Sequence, residues 1–314
     1  MLIQKAYRFR LKPTPEQQAQ FRLFAGQGRF VWNEALRLQK ERLEVGRKLA
    51  SYAEMCRWIT DWKQDNEMAW LKEAPIHTLQ QRLKDFNQAI RLWRKDLKAG
   101  KGEKGRGFPT FRKRYVSGHN TFRFPDPKQF SVAGRRVKLP KLGWVRFYKS
   151  QQIEGTIKNA TVRLDGGHWY ISFQVEQELP DPIHPFLNRP LGIDLGVATF
   201  AALSDGSFLE PIGSFRKHER RLAREQHKLS RKKKHSGNWK KQKRRVDRLH
   251  ARIAACRKDY LHKASTTLAK NHGVVVLEHL QVSNLSASSQ GTVEAPGTNV
   301  AAKSGLNKSI LDQG

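Results

Sequence analysis

The apolar run LGIDLGVATFAAL at residues 191–203 contains a single ionisable side chain, Asp194. Turn-forming residues follow at 204–207, and Phe208 and Leu209 resume the apolar pattern, which predicts a central β-hairpin. Burying an ionised carboxylate costs several kcal/mol unless a cation lies beside it. We therefore expect Asp194 to bind a divalent metal ion or, alternatively, to pair with a Lys or Arg side chain.

A second acid, Glu278, ends the apolar run GVVVLE at residues 273–278, which predicts a short buried strand. Phosphodiester hydrolysis commonly uses two Mg²⁺ ions about 4 Å apart, held by carboxylate oxygens with few other protein ligands. Two acids within or at the ends of neighbouring strands could supply such carboxylate oxygens. Asp194 and Glu278 are therefore candidate metal ligands, with Mg²⁺ as the expected ion and Mn²⁺ as its substitute.

The charge of the chain indicates a polyanionic partner. Its 314 residues include 60 Lys and Arg against 28 Asp and Glu, a formal net charge of +32. Basic residues interleave with Trp, Phe and Tyr instead of forming one lipid-binding stripe, which favours nucleic acid over a membrane surface. With only Cys56 and Cys256, no signal peptide and no membrane-length apolar run, we expect a cytoplasmic, nucleoid-associated protein without a membrane partner.

Pattern changes divide the chain into a strand at 1–13, helices at 14–107, strands at 108–180, a linker at 181–190 and a last section at 191–314. The first strand has no partner among the helices, so we expect it to join the later strands in a small β-barrel that the helices interrupt. Alternation predicts those later strands at 121–124, 135–139, 144–148, 156–164 and 169–178.

The clearest helical pattern places seven apolar residues on one face, at 76, 79, 83, 86, 90, 93 and 97. Arg82, Arg91 and Arg94 lie off this stripe and could meet phosphates, although a merely solvated charged face is as good an interpretation. Residues 214–272 hold 21 Lys or Arg against 4 Asp or Glu, and helical spacing interrupted at 236–238 predicts a basic helical hairpin. Beyond Leu285 the composition predicts a flexible loop.

Two motifs of the last section carry a resemblance. GIDLGV at 192–197 with SDG at 204–206, and VLEHL at 276–280, flank the basic hairpin and resemble the first two motifs of an RNase H-like, RuvC-type nuclease domain. GIDLG also resembles the first phosphate motif of actin-like and Hsp70-like ATPases. Too few residues follow it to build the paired lobes that enclose ATP, which disfavours the ATPase interpretation.

Further motifs extend the resemblance over nearly the whole chain. These motifs are KAYRFRLKPT at 5–14, RFVWN at 29–33, GFPTFRK at 107–113, VKLPKLG at 137–143 and DYLHK at 259–263. They resemble TnpB, the RNA-guided nuclease family of bacterial insertion sequences, which is related to type V CRISPR effectors. The resemblance implies an α+β multidomain protein: an OB-like wedge barrel interrupted by a helical recognition insertion, then an incomplete RuvC-type α/β domain. It also implies that Asp194 and Glu278 are catalytic.

The implied partners are a guide RNA transcribed from the end of the element and a target double-stranded DNA with a short flanking motif, contacted mainly through the backbone. Basic candidates for these contacts come from the helices at 14–107, the strands at 108–180 and the last section at 191–314. They are Arg82, Arg91, Arg94, Arg112, Lys113, Lys138, Lys141, Arg231, Lys232, Lys233, Lys240, Arg244, Arg245 and Lys263.

The sequence departs from the family pattern at its end. Members continue past residues 306–314 into a helix, a four-cysteine zinc-binding insertion and a third catalytic Asp, none of which follows here. Asp312 lies before that helix and is no substitute for the third acid. We therefore expect weakened metal binding. The sequence leaves two alternative functions, RNA-guided cleavage of DNA or RNA-guided DNA binding without cleavage.

Overall fold

The computed structural model describes residues 1–102, 105–114, 116, 118–180, 185–186 and 188–313. It divides into two compact units, Met1–Pro180 and Asp181–Gly314. Residues 103–104 of the glycine-rich segment and 181–184 and 187 of the predicted linker lie outside the described residues. None of the described helices combines the length and the apolar composition needed to cross a bilayer.

The first unit contains a seven-stranded antiparallel sheet. Its strands are β1 (Leu2–Lys12), β2 (Thr121–Phe124), β3 (Ser131–Ala133), β4 (Arg136–Leu139), β5 (Gly143–Tyr148), β6 (Thr156–Asp165) and β7 (His168–Glu178), in the order β2-β6-β7-β1-β5-β4-β3. The five predicted later strands are confirmed to within one residue at each end, and β3 was missed. The first strand pairs with them as predicted, since Tyr7 lies opposite Phe173 on one side and Leu11 opposite Phe147 on the other.

The predicted barrel is not closed within the described strands. The edge strands β2 and β3 have no ladder between them among the residues that the structure covers, so the sheet is open there. A mixed α+β architecture with an open, antiparallel sheet is what the structure supports.

Helices separate β1 from the rest of this sheet. They are α1 (Pro15–Glu44), α2 (Tyr52–Gln64) and α3 (Ile76–Lys98), with a 3-10 helix at Asn66–Glu73 between the last two. Thr14 begins α1 with a capping box, because its hydroxyl accepts from the Gln17 N–H and the Gln17 side chain accepts from the Thr14 N–H. Alternate residues of β1, including Tyr7 and Phe9, are buried against helix residues such as Phe21 in one core.

The apolar stripe of α3 faces that core along most of its length. Leu79, Leu83, Phe86 and Ile90 are buried, as predicted. Leu97 is an exception, with 64% of its surface exposed, because it lies in the last turn of the helix beyond the core.

The second unit combines a small sheet with a helical hairpin. Its strands are β8 (Pro190–Leu195), β9 (Ala201–Leu203), β10 (Phe208–Leu209) and β11 (Val274–Leu277), in the order β10-β9-β8-β11. The β8–β11 pair is parallel and the other pairs are antiparallel. The predicted hairpin over residues 191–209 is therefore confirmed, and the apolar run at 273–278 forms a strand beside it.

Two basic helices, α4 (Ser214–Ser230) and α5 (Gly237–Asn271), form the predicted hairpin with its interruption before Gly237. Leu222, Val246, Leu249 and Ile253 pack together between them. A short helix α6 (Val282–Leu285) and a longer helix α7 (Val300–Gln313) follow. The expectation of a flexible loop beyond Leu285 is wrong for α7, because tertiary contacts with α4 stabilise a segment whose composition is loop-like.

Candidate functional site

The pairing of β8 with β11 brings the two candidate acids to adjacent strand positions. Val276 lies opposite Gly192 and Leu277 opposite Ile193 in this parallel ladder. Asp194 is the next residue of β8, and Glu278 is the first residue after β11. Because neighbouring strands are about 4.8 Å apart, this register brings the backbone of the two acids close together at the same end of the sheet.

Both acids are open to solvent, which corrects two expectations. Leu191 and Ile193 point into the core, and alternation therefore places Asp194 on the opposite, exposed face. Glu278 is exposed, and so are all four residues of β11, including Val276 at 61%. The predicted burial of Asp194 and of β11 is wrong, because β11 is an edge strand that no described element covers.

Asp194 forms no ion pair among the described residues, because none of their Lys or Arg nitrogens lies within 4 Å of its carboxylate. The alternative interpretation of Asp194 as an ion-pair partner therefore finds no support. Two exposed carboxylates offer hard oxygen donors suited to a divalent cation. The described residues contain no group of three or more His, Cys, Asp and Glu side chains that could hold a metal ion. The described residues thus place two carboxylates at this position.

Asp312 is engaged elsewhere in the unit. Its side chain is buried and accepts hydrogen bonds from the Phe215 N–H at 2.6 Å, the Ser214 hydroxyl at 3.0 Å and the Arg216 N–H at 3.2 Å. These are donors of the first turn of α4, whose N-cap Gly213 has no side chain to satisfy them. Asp312 is an N-cap provided by α7, and it is not free to join Asp194 and Glu278.

At its turn and in the first half of α5, the basic hairpin presents cations that form no ion pair among the described residues, although Arg245 lies near enough to Glu225 to help lower the pKa of that carboxyl. Arg231 and Lys233 in the turn, and Lys240, Arg244 and Arg245 in the first half of α5, are exposed, and Lys232 is half-buried. Lys240 and Arg244 are four residues apart and share one face of α5. Lys263 differs, because it pairs with Asp259 at 2.7 Å. Clustered, unpaired cations of this kind suit the phosphates of a nucleic acid.

In the first unit, most predicted basic residues are at the surface. Arg91, Arg94, Lys113 and Lys138 are exposed. Lys141 is exposed as well, and its ammonium donates to the backbone carbonyl of Lys72 at 2.5 Å.

Arg82 is in a different position from the one predicted. It is 5% exposed, and its guanidinium donates to the Asp85 carboxylate at 3.2 Å and to the backbone carbonyl of Thr121. Gly28 on α1 lies against it, since a Cβ there would be 3.4 Å from Arg82 Nε, an ordinary van der Waals distance. The expectation that Arg82 faces solvent is wrong, and this residue joins α3 to α1 and to the start of β2.

Arg112 lies beside this contact, half-buried, with its guanidinium carbon 3.5 Å from the centroid of the Trp32 ring. Burial, with a smaller contribution from the charge of Arg82, lowers the pKa of Arg112 to about 10. Arg29, which sequence reasoning did not select, is also half-buried, and burial together with the charges of Arg114 and Arg82 lowers its pKa. Arg29 begins the motif RFVWN at 29–33, and this position was the sequence signal that could have identified it as a candidate.

Two family models match the chain. A model of the IS605 OrfB family described as "Probable transposase" matches residues 172–289, and a second model of that family, described as "Helix-turn-helix domain", matches residues 1–48. In this structure residues 1–48 contain the strand β1 and the single long helix α1. The models place the chain in the class of proteins that insertion sequences encode.

Curated relatives show the same affiliation. The chain is 47% identical over 310 residues to "Putative RNA-guided DNA endonuclease InsQ" of Escherichia coli K12, covering 99% of this chain and 74% of that protein. It is 31% identical to a "Putative RNA-guided DNA endonuclease" of Streptomyces pristinaespiralis, covering 90% of this chain and 68% of that protein. A solved Cas12f1–sgRNA–target DNA complex aligns with a TM-score of 0.45 and 12% identity, over 98% of this chain and 86% of that one. The chain belongs to the IS605 OrfB family, also named TnpB.

Proposed function

We propose that this protein is an RNA-guided DNA endonuclease that cleaves its target by metal-dependent phosphodiester hydrolysis. The observation that carries the proposal is the adjacency of Asp194 at the end of β8 and Glu278 directly after β11, both of them exposed and open to a substrate. Family membership supports the same activity, since the named relatives carry it in their names. The partners would be a guide RNA from the end of the element and a target DNA with a short flanking motif.

We infer a finer architecture from the strand orders. Three antiparallel strands, β10, β9 and β8, followed by β11 parallel to β8, agree with an RNase H-like core in the second unit. The first unit, with α1 to α3 inserted between β1 and β2, agrees with an OB-like wedge interrupted by a recognition insertion. The segments 1–13, 14–107 and 108–180 would then serve as first strand, insertion and remaining wedge.

The chain's own residues suit this chemistry. Asp194 and Glu278 would hold the divalent cation, Mg²⁺ by preference or Mn²⁺, through their carboxylate oxygens. When bound, such a cation stabilises the charge that develops on the scissile phosphate and activates water. The basic residues of α4, α5 and their turn would neutralise phosphates of the bound nucleic acid. Exposure of the acids allows a phosphodiester to approach them without displacing a protein segment.

Guided DNA binding without cleavage is the second candidate, and one observation favours it. Among the described residues no third acid joins Asp194 and Glu278, and Asp312 caps α4 instead. Two carboxylates bind a cation less tightly than three, so cleavage would suffer more than RNA binding does.

One experiment separates these functions. The purified chain is incubated with RNA transcribed from the end of its element, a matching target duplex and Mg²⁺, and both retardation and cleavage are followed on gels. Cleavage that Asp194→Asn abolishes supports the endonuclease. A retarded but uncut target supports guided binding, and failure to retain RNA at all contradicts both.

A further inference from the structure

In the first unit, two side chains of α1 hold the backbone of residues 110–112 in place through hydrogen bonds. The Asn33 amide accepts from the Arg112 N–H at 2.8 Å and donates to the Arg112 carbonyl at 3.2 Å. The Trp32 indole N–H donates to the Thr110 carbonyl at 3.0 Å. Two consecutive residues of α1 therefore determine where the Arg112 side chain leaves the backbone.

The Arg112 guanidinium is stacked on a ring, and within the part of the chain that the structure describes it forms no ion pair. It lies over the buried Trp32 ring, and among the described residues no side chain or carbonyl accepts from its N–H groups. Stacking uses the face of a guanidinium and leaves its in-plane donors free. A planar fork of this kind, half-buried and already oriented, matches the geometry of a phosphate.

Neighbouring charges increase the attraction for an anion. Arg82 forms an ion pair with Asp85, whereas the described residues give Arg29 a hydrogen bond to the uncharged amide of Asn120 and no ion pair. Arg29 and Arg112 both help to lower the pKa of His119 and so lie in one half-buried region. The charge of Asp85 also acts on Arg112, but the described residues form no ion pair with this guanidinium. The lowered pKa values of both residues have the same origin, because burial and nearby arginines disfavour their charged forms.

We propose that Arg112, stacked on Trp32 and in the same region of the unit as Arg29, binds a phosphate of a nucleic-acid backbone. Asn33 and Trp32 act as positioning residues, and Arg82 keeps α3 and β2 in place beneath the site. A phosphodiester fits better than an isolated protein carboxylate, because the whole chain carries +32 and the site lies in a unit rich in exposed cations. This site rests on the proposed function, of which it would be one RNA or DNA contact.

Binding measurements on the full chain test the site. Fluorescence anisotropy is recorded with a mixed-sequence single-stranded RNA and, separately, with a mixed-sequence DNA duplex, over a series of salt concentrations. The variants are Arg112→Gln, Arg112→Lys and Arg29→Gln. Arg22→Gln is the matched control, since Arg22 is an exposed arginine on α1, the helix that carries Arg29, and lies outside the site.

We expect Arg112→Gln to weaken binding about tenfold and to reduce the slope of log K against log salt by about 0.7 for RNA or about 0.9 for duplex DNA. Arg29→Gln should act in the same direction, and Arg112→Lys should recover part of the affinity because it keeps the charge. Arg22→Gln should leave both quantities near wild type. A loss confined to one probe supports the site and identifies the RNA or the DNA as its source.

The opposing results are equally clear. If Arg112→Gln and Arg29→Gln melt like the wild type and bind both probes with unchanged affinity and slope, the phosphate site is wrong while the proposed function stands. If Arg112→Gln unfolds the unit, Arg29→Gln and Arg112→Lys decide by the same criteria. If the wild-type chain itself binds neither probe, the proposed function fails, and the site fails with it.

Discussion

Leu277 lies opposite Ile193 in the parallel pair of β11 with β8, and this single register makes Asp194 and Glu278 neighbours. Each acid on its own is an exposed carboxylate of a very basic protein. Together they offer hard oxygen donors at the same end of the sheet. Any metal bound here should therefore depend on both residues.

Metal binding tests this dependence. Asp194→Asn and Glu278→Gln each remove one negative charge from the pair, and each should weaken Mn²⁺ binding at least about tenfold. The measurement is titration calorimetry, with the unbound ion followed by electron paramagnetic resonance. Asp247→Asn removes the same charge from a surface ion pair with Lys243 and should change nothing. Equal loss in all three variants would contradict a specific site.

Salt dependence tests the hairpin. Lys240 is exposed without an acid partner among the described residues, whereas Lys263 on the same helix pairs with Asp259. Lys240→Gln should therefore reduce the slope of log K against log salt for RNA by about 0.7, and Lys263→Gln should reduce it less. The slopes come from anisotropy titrations at several ionic strengths. A flat response of the wild type would remove nucleic acid from the proposal.

Asp312 should matter for stability. Asp312→Ala leaves three donors at the start of α4 without their acceptor and should lower the free energy of unfolding of the second unit by about 2 kcal/mol. Asp259→Ala removes only an exposed ion pair and should cost less than about 0.5 kcal/mol. Urea unfolding followed by circular dichroism compares the two. Similar costs would mean that Asp312 does not hold α7 on α4.

Gly155 should tolerate no side chain. Its φ is +93°, and a Cβ would lie 2.5 Å from the Glu176 carbonyl oxygen and 2.8 Å from Val175 Cγ1. Gly155→Ala should therefore destabilise the first unit by more than about 2 kcal/mol. Gly134 has a φ of +55° with open space around it, so that Gly134→Ala should cost only about 1 kcal/mol. Thermal melting of both variants checks the difference.

The interior of the first unit was well predicted, because local patterns report directly on it. Alternating residues located the later strands, and three-and-four spacing located the buried face of α3. The same spacing gave no indication that Arg82 is buried, since it identifies a helix face but not the neighbours that surround it. Buried Arg82 lies against Gly28 and donates to the Thr121 carbonyl, and both of these residues are far away in the chain.

The two candidate acids show the same division. The sequence showed that Asp194 interrupts an apolar run. The expectation that this acid is buried was wrong, because strand alternation turns it away from the buried side chains of Leu191 and Ile193. The cap that Asp312 provides for α4 left no local signal, as the donor and acceptor belong to different helices.

The order of amino acids alone determined the alternation of strands and helices, the excess of positive charge and the presence of two acids at strand positions, because each is a property of neighbouring residues. Tertiary structure decided which strands pair, which side chains reach solvent, and that Trp32 and Asn33 present Arg112. These features arise from contacts between segments distant in the chain, where packing and hydrogen bonding select among arrangements that local patterns allow equally.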